Sequence, residues 1–135
     1  MIRLSLIIAT YNRAEQLMVT LDSVARQTLS ADRWECIVVD NNSKDDTVEI
    51  AKAAGAVVRY EYKQGKGNVI RRMFREIDAE CYIMVDGDDT YSADAGPTMV
   101  KEVLENKADM VVGDRLSSTY FSENKRPFHN VGNSM

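Results

Sequence analysis

Residues 34–47 read WECIVVDNNSKDDT, and the fold turns on that stretch. Residues 34–39 are rich in β-formers, too short for a stable helix and bounded by turn formers, so they read as a buried strand. Asp40, Asn41, Asn42 and Ser43 favour a turn, because short polar side chains bond back to nearby backbone. Asp45 or Asp46 then suits a helix N-cap, and a helix over 47–54 would stop at Gly55. Strand, polar loop and helix in this order make one unit of an α/β fold.

The same alternation extends both ways. Upstream, LSLIIA (4–9) reads as a strand, and Leu17, Leu21, Val24 and Ala25 recur at helical spacing over 14–27. Downstream, 56–62 is a third strand, and Gly65-Lys66-Gly67-Asn68 opens a helix carrying Val69, Ile70, Met73, Phe74 and Ile77. CYIMV (81–85) and MVVG (110–113) read as fourth and fifth strands. Between them Pro97 suits the first turn of a helix reaching about Glu105. The expected architecture is α/β: an open, mostly parallel, twisted sheet with helices on both faces. From Asp114 the periodicity is lost, and 117–133 reads as loop. The chain is expected to be one domain, 1–135, and the front part of something larger.

Composition narrows the function classes. A chain of 135 residues with 44% hydrophobic content buries a real core, and 28% charged residues of mixed sign argue against disorder. A net charge of -4, with only the pairs Arg71-Arg72 and Lys125-Arg126, gives no footprint for nucleic acid. No apolar run approaches the ~20 residues that span a bilayer. Residues 2–9 are too short and too interrupted for a signal peptide, so the cytoplasm or the cytoplasmic face of a membrane is the expected location. Cys36 and Cys81 lie inside apolar runs and read as reduced, buried thiols.

In open α/β sheets, ligands bind beyond the carboxyl ends of the strands. Thr10-Tyr11-Asn12-Arg13, Asp40-Asn41-Asn42-Ser43 and Asp86-Gly87-Asp88-Asp89 all fall there. The crowded carboxylates of the last cluster repel one another unless protonation or a cation relieves them. Oxygen ligands suit hard cations such as magnesium or manganese, and Gly87 lets the backbone turn so that its neighbours converge. On those residues alone, a solvated acidic turn explains the pattern equally well. Gly65-Lys66-Gly67-Asn68 offers an anion site at a helix start, but lacks the spacing of a P-loop. His129 is the only histidine and lies in the irregular tail, and no serine sits on a nucleophile elbow.

Taken in order, Ala9-Thr10-Tyr11-Asn12, Val38-Val39-Asp40-Asn41-Asn42-Ser43 with Asp46-Thr47, Gly65-Lys66-Gly67-Asn68 and Val85-Asp86-Gly87-Asp88-Asp89 resemble family 2 of the glycosyltransferases, enzymes of the GT-A fold. The resemblance implies that Thr10, Tyr11 and Asn12 border the nucleotide and that Asp40 bonds its base. It places Lys66 and Arg71 near the nucleotide and Asp86 near the ribose. A Mg2+ or Mn2+ ion would be held by Asp86 and Asp88, with Asp88 the principal ligand and Asp89 a ligand or a support to it. Many relatives have an aspartate where this chain has Asn41, so the base contact rests on Asp40.

The tail, with Gly113-Asp114-Arg115, Lys125-Arg126 and His129-Asn130-Val131-Gly132-Asn133, is similar to the polyprenyl-phosphate sugar transferases, including the dolichol-phosphate mannosyltransferases. It implies that 114–135 forms an acceptor-side loop or a cut tail, in which Arg115 and Arg126 meet a lipid phosphate at the membrane surface. The implied reaction is inverting transfer from a UDP- or GDP-linked sugar to a polyprenyl phosphate. Such a phosphate, with a second pKa of ~6, is already anionic at neutral pH and needs no strong base. Transfer to a glycan hydroxyl is the alternative and requires a carboxylate base, which no residue here supplies in evident form. Nucleotide binding without turnover is the third reading.

Overall fold

Strand β2 (Trp34–Asp40) is the middle of a three-stranded parallel sheet, between β1 (Leu4–Thr10) and β3 (Val57–Tyr60). The computed structural model describes residues 3–85 and 93–113. The chain divides into two compact units, Met1–Asp78 and Ala79–Met135.

In the first unit the apolar run of β2 is explained by cover on both faces, as parallel sheets require. Successive side chains of a strand point to opposite sides. Val38 therefore packs with Leu17 and Leu21 of helix α1 (Ala14–Ala25) and Ala51 of helix α2 (Thr47–Ala53). Ile37 and Val39 face the other way and pack with Val69 and Met73 of helix α3 (Lys66–Glu76). Val38 and Val39 are fully buried, and each such side chain contributes about 1.5–3 kcal/mol of hydrophobic stabilisation. The sheet is thus parallel with helices on both faces, as the sequence predicts.

Local chemistry sets the ends of the elements. Helix α2 closes in a Schellman motif: Ala56 N–H donates to the Ala51 carbonyl at 3.1 Å and Gly55 N–H to that of Lys52 at 3.0 Å. Gly55 takes φ +80°, which glycine adopts without strain. At the same, amino end of the parallel sheet, a short 3-10 turn, Ala31–Arg33, leads into β2, and the Trp34 indole N–H donates to the Leu29 carbonyl at 3.2 Å.

In the second unit, helix α4 (Gly96–Leu104) begins with Pro97 in its first turn, matching the expected start. Residues 81–85 and 110–113, expected as the fourth and fifth strands, lie in neither strand nor helix. Ile83, Met84 and Val85 are 64%, 66% and 64% exposed. Apolar β-formers supply a preference, but a strand exists only where its backbone pairs with a neighbour and its side chains pack. No helix among the described residues is long and apolar enough to cross a membrane.

Candidate functional site

The parallel register places Thr10 opposite Asp40, and Asp40 opposite Tyr60, in one row across the carboxyl ends of the strands. Thr10 and Asp40 are buried, although both are polar. The Asp40 carboxylate is turned onto its own loop, where Ser43 N–H donates to its two oxygens at 3.3 and 3.1 Å. Buried polar groups persist only when hydrogen-bonded, and this contact meets that condition.

The loops after β1 and β2 are fastened to each other. Asn12, at φ +47°, has its N–H on Ser43 Oγ at 2.8 Å, while its side-chain oxygen accepts Lys44 N–H at 2.7 Å. The next two backbone N–H groups also find partners in the second loop. Arg13 N–H donates to Thr47 Oγ1 at 3.2 Å, and Ala14 N–H donates to Asp45 Oδ2 at 3.3 Å. Asp45 thereby supplies a negative charge to the start of α1, where the helix dipole favours one. The Thr47 hydroxyl donates to the same carboxylate and holds its pKa below the ordinary value, helped by the N–H groups of Ala14 and Thr47.

Beyond β3 the chain curls toward β2. Tyr60 and Tyr62 stack, with ring centroids 6.3 Å apart and planes 6° from parallel. The Asn41 carboxamide donates to the carbonyls of Glu61 and Lys63 at 2.6 and 3.0 Å, and accepts Gly65 N–H at 2.8 Å. Asn42, at φ +72°, donates to the Tyr62 carbonyl at 2.9 Å. Gly65 takes φ +120° and hands over directly to Lys66, the first residue of α3.

Of the residues singled out from sequence, the structure brings Thr10, Asn12 and Asp40 into this edge, with Tyr11 exposed beside them. Lys66 begins the helix that follows the clasped loop. Arg71 is exposed on α3, whereas its neighbour Arg72 turns onto the sheet, donating to the Tyr60 carbonyl and pairing with Glu76. The sequence assigns Arg72 no part in the site, includes Asn42 only as a member of the polar cluster after β2, and reads Asp45 only as a candidate helix cap. Paired arginines on a half-buried helix and two successive asparagines after a strand were the available signals. Asp86, Asp88, Asp89, Arg115 and Arg126 lie outside the described residues. Among the described residues, no group of three or more His, Cys, Asp or Glu could hold a metal ion. Both cysteines are free, and burial pushes the Cys36 thiol pKa up.

A parallel sheet covered on both faces, with its polar groups gathered beyond the strand ends, defines the α/β class whose ligands bind at that edge. The sequence matches glycosyl transferase family 2 over residues 5–134, and the chain belongs to that family. It is similar to protein RfbJ of Shigella flexneri, at 42% identity over 112 residues covering 83% of this chain and 84% of RfbJ. It is 29% identical over 118 residues to the dolichol-phosphate mannosyltransferase of Pyrococcus furiosus, covering 84% of this chain and 33% of that one. Among solved structures, the mannosyltransferase PcManGT from Pyrobaculum calidifontis, in complex with GDP-Man and Mn2+, matches with a TM-score of 0.52. The identity there is 27%, over 58% of this chain and 25% of that one. The chain thus spans most of RfbJ but a third or less of the other two. The fold is that of the GT-A glycosyltransferases.

Proposed function

We propose that the carboxyl edge of this sheet holds the nucleotide of a UDP- or GDP-linked sugar, and that the sugar passes with inversion to a polyprenyl phosphate. The observation that carries the donor half is the buried row of Thr10 and Asp40, capped by two loops that hold each other in place. A ligand edge whose loops are already ordered costs less to bind against than one that must first be fixed. Tyr11, exposed at the end of β1, offers a ring to the nucleoside, and Lys66 at the start of α3 offers a cation to its phosphates.

Asp86 and Asp88, with Asp89 beside them, form a donor set of carboxylate oxygens that fits Mg2+ or Mn2+. When bound, the ion neutralises charge building on the departing nucleoside diphosphate. The PcManGT complex with GDP-Man and Mn2+ supports this part of the reading. Arg115 and Arg126 would orient the acceptor phosphate, a role favoured by similarity to the dolichol-phosphate mannosyltransferase. An acceptor of this kind places the protein against the cytoplasmic face of a membrane.

Isothermal titration with UDP and GDP, with and without Mn2+, tests the donor site and reads the base preference at once. A folded protein that binds neither nucleotide ends the donor reading. Transfer to polyprenyl phosphate by an R126A variant tests the acceptor half, and unchanged turnover removes Arg126 from it.

A further inference from the structure

We propose that Asn41 is a positioning residue for the nucleotide: its carboxamide fixes the loop between β3 and α3, and so determines where Gly65 and Lys66 stand. The inference rests on the donor-site reading above.

Asn41 directly follows β2 and is 5% exposed, so its side chain is committed to the protein. A carboxamide has two N–H donors and one oxygen with two acceptor sites. Both donors are spent on backbone carbonyls of one loop, those of Glu61 and Lys63, and the oxygen receives the N–H of Gly65. A single side chain thereby grips the loop at its beginning, middle and end. The grip also fixes the orientation of the amide, because donors and acceptor each face a complementary backbone group.

The held loop ends in a backbone conformation that needs fixing. Gly65 takes φ +120°, and the next residue is Lys66, the first of α3. A glycine with that freedom has many alternatives, and the Asn41 bond to its N–H selects one of them. Because α3 is anchored to the sheet through Val69 and Met73, fixing Gly65 leaves the first turn of α3 little room to move. Asn42 strengthens the arrangement by donating to the Tyr62 carbonyl in the same loop.

Aspartate has nearly the same shape as asparagine but reverses this logic. It could still accept from Gly65, while setting its charge against two carbonyl oxygens and losing both donated bonds. The asparagine therefore has a chemical reason to be an amide here, independent of any contact with the base.

The test is a double-mutant cycle on nucleotide affinity, using UDP and GDP with Mn2+ and the full chain. N41D should weaken binding of the preferred nucleotide by about tenfold or more, and K66A should also weaken it. If Asn41 acts through the start of α3, the N41D/K66A double variant should bind no worse than the weaker single variant. N41S, which removes the amide without adding charge, should reproduce the loss if N41D folds poorly. L21A, which destabilises the core far from this edge, should keep the wild-type affinity wherever it is folded. Amide exchange at Gly65 should quicken in N41D and N41S but not in K66A. Wild-type affinity in N41D and N41S, wild-type affinity in K66A, or losses that multiply in the double variant would each overturn the proposal while leaving the donor site intact. A folded wild-type protein that binds neither nucleotide overturns both readings.

Discussion

Asp45 Oδ2 accepts the backbone N–H of Ala14 at 3.3 Å, so the first helix begins on a carboxylate borrowed from the loop after the second strand. Arg13, the residue before that helix, provides no side-chain cap of its own. A helix start leaves N–H groups without intrahelical partners, and here another segment meets the need. The loop that leads into α2 therefore also completes α1.

That carboxylate makes the contact sensitive to acid. The Thr47 hydroxyl and nearby N–H groups lower the folded-state pKa of Asp45 below its unfolded value. The stabilisation is complete above the unfolded carboxylate pKa, about 3.9, and is lost as pH falls through the lower folded value. Denaturant midpoints measured from neutrality down through that range should fall less steeply in D45N than in wild type. Parallel curves would remove Asp45 from the acid response.

Thr47 is wholly buried and joins Arg13 N–H to Asp45. T47V keeps the shape and deletes the hydroxyl, leaving the part-buried Arg13 N–H and the exposed Asp45 carboxylate each short of a bond. The expected loss is about 0.5–1.5 kcal/mol in urea unfolding, the net worth of an ordinary hydrogen bond. A change within error would mean that water replaces the hydroxyl at no cost.

Gly65 meets open space where a side chain would go, with Asn68 Nδ2 the nearest atom at 3.8 Å. Its φ of +120° is the obstacle instead. G65A should cost about 1–3 kcal/mol through backbone strain, or relieve it by shifting the loop. Melting curves and nucleotide titration together separate those outcomes: strain lowers stability, whereas a shifted loop lowers affinity.

Cys36 lies in β2, and burial raises its thiol pKa. Only the thiolate reacts readily with alkylating reagents, so less than the usual fraction is available at neutral pH. Mass-resolved alkylation at pH 7 should modify Cys36 more slowly in the folded protein than in urea. Equal rates would show that the first unit opens faster than the reagent attacks.

The parts of the fold legible in the sequence were those written in apolar periodicity. The run through Ile37, Val38 and Val39 is uniformly apolar because both of its faces are covered, and that follows from composition alone. The sequence predicts β3 over 56–62, but the strand pairs only over Val57–Tyr60. Glu61 N–H still reaches the Asp40 carbonyl at 3.0 Å, after which Asn41 and Asn42 draw the chain aside. No local pattern around Glu61 encodes that, since the amides responsible are twenty residues earlier. The strand reading of 81–85 fails for a related reason: propensity is local, whereas a ladder partner is not. At the candidate site, the sequence places Asp40 at the carboxyl end of β2, where the structure has it, but which side chains hold loops depends on distances. Arg71 and Arg72 make the point, being adjacent in sequence but one exposed and the other half-buried against the sheet.

Trp34, the single tryptophan of the chain, is anchored at the amino end of β2, while Asp40 marks its carboxyl end. At 3.2–3.4 Å of rise per residue the two lie about 20 Å apart. Intrinsic tryptophan emission therefore reports melting of the sheet from the end remote from the proposed nucleotide edge. The stacked pair Tyr60 and Tyr62 stands at that other edge, so aromatic reporters mark both ends of the sheet.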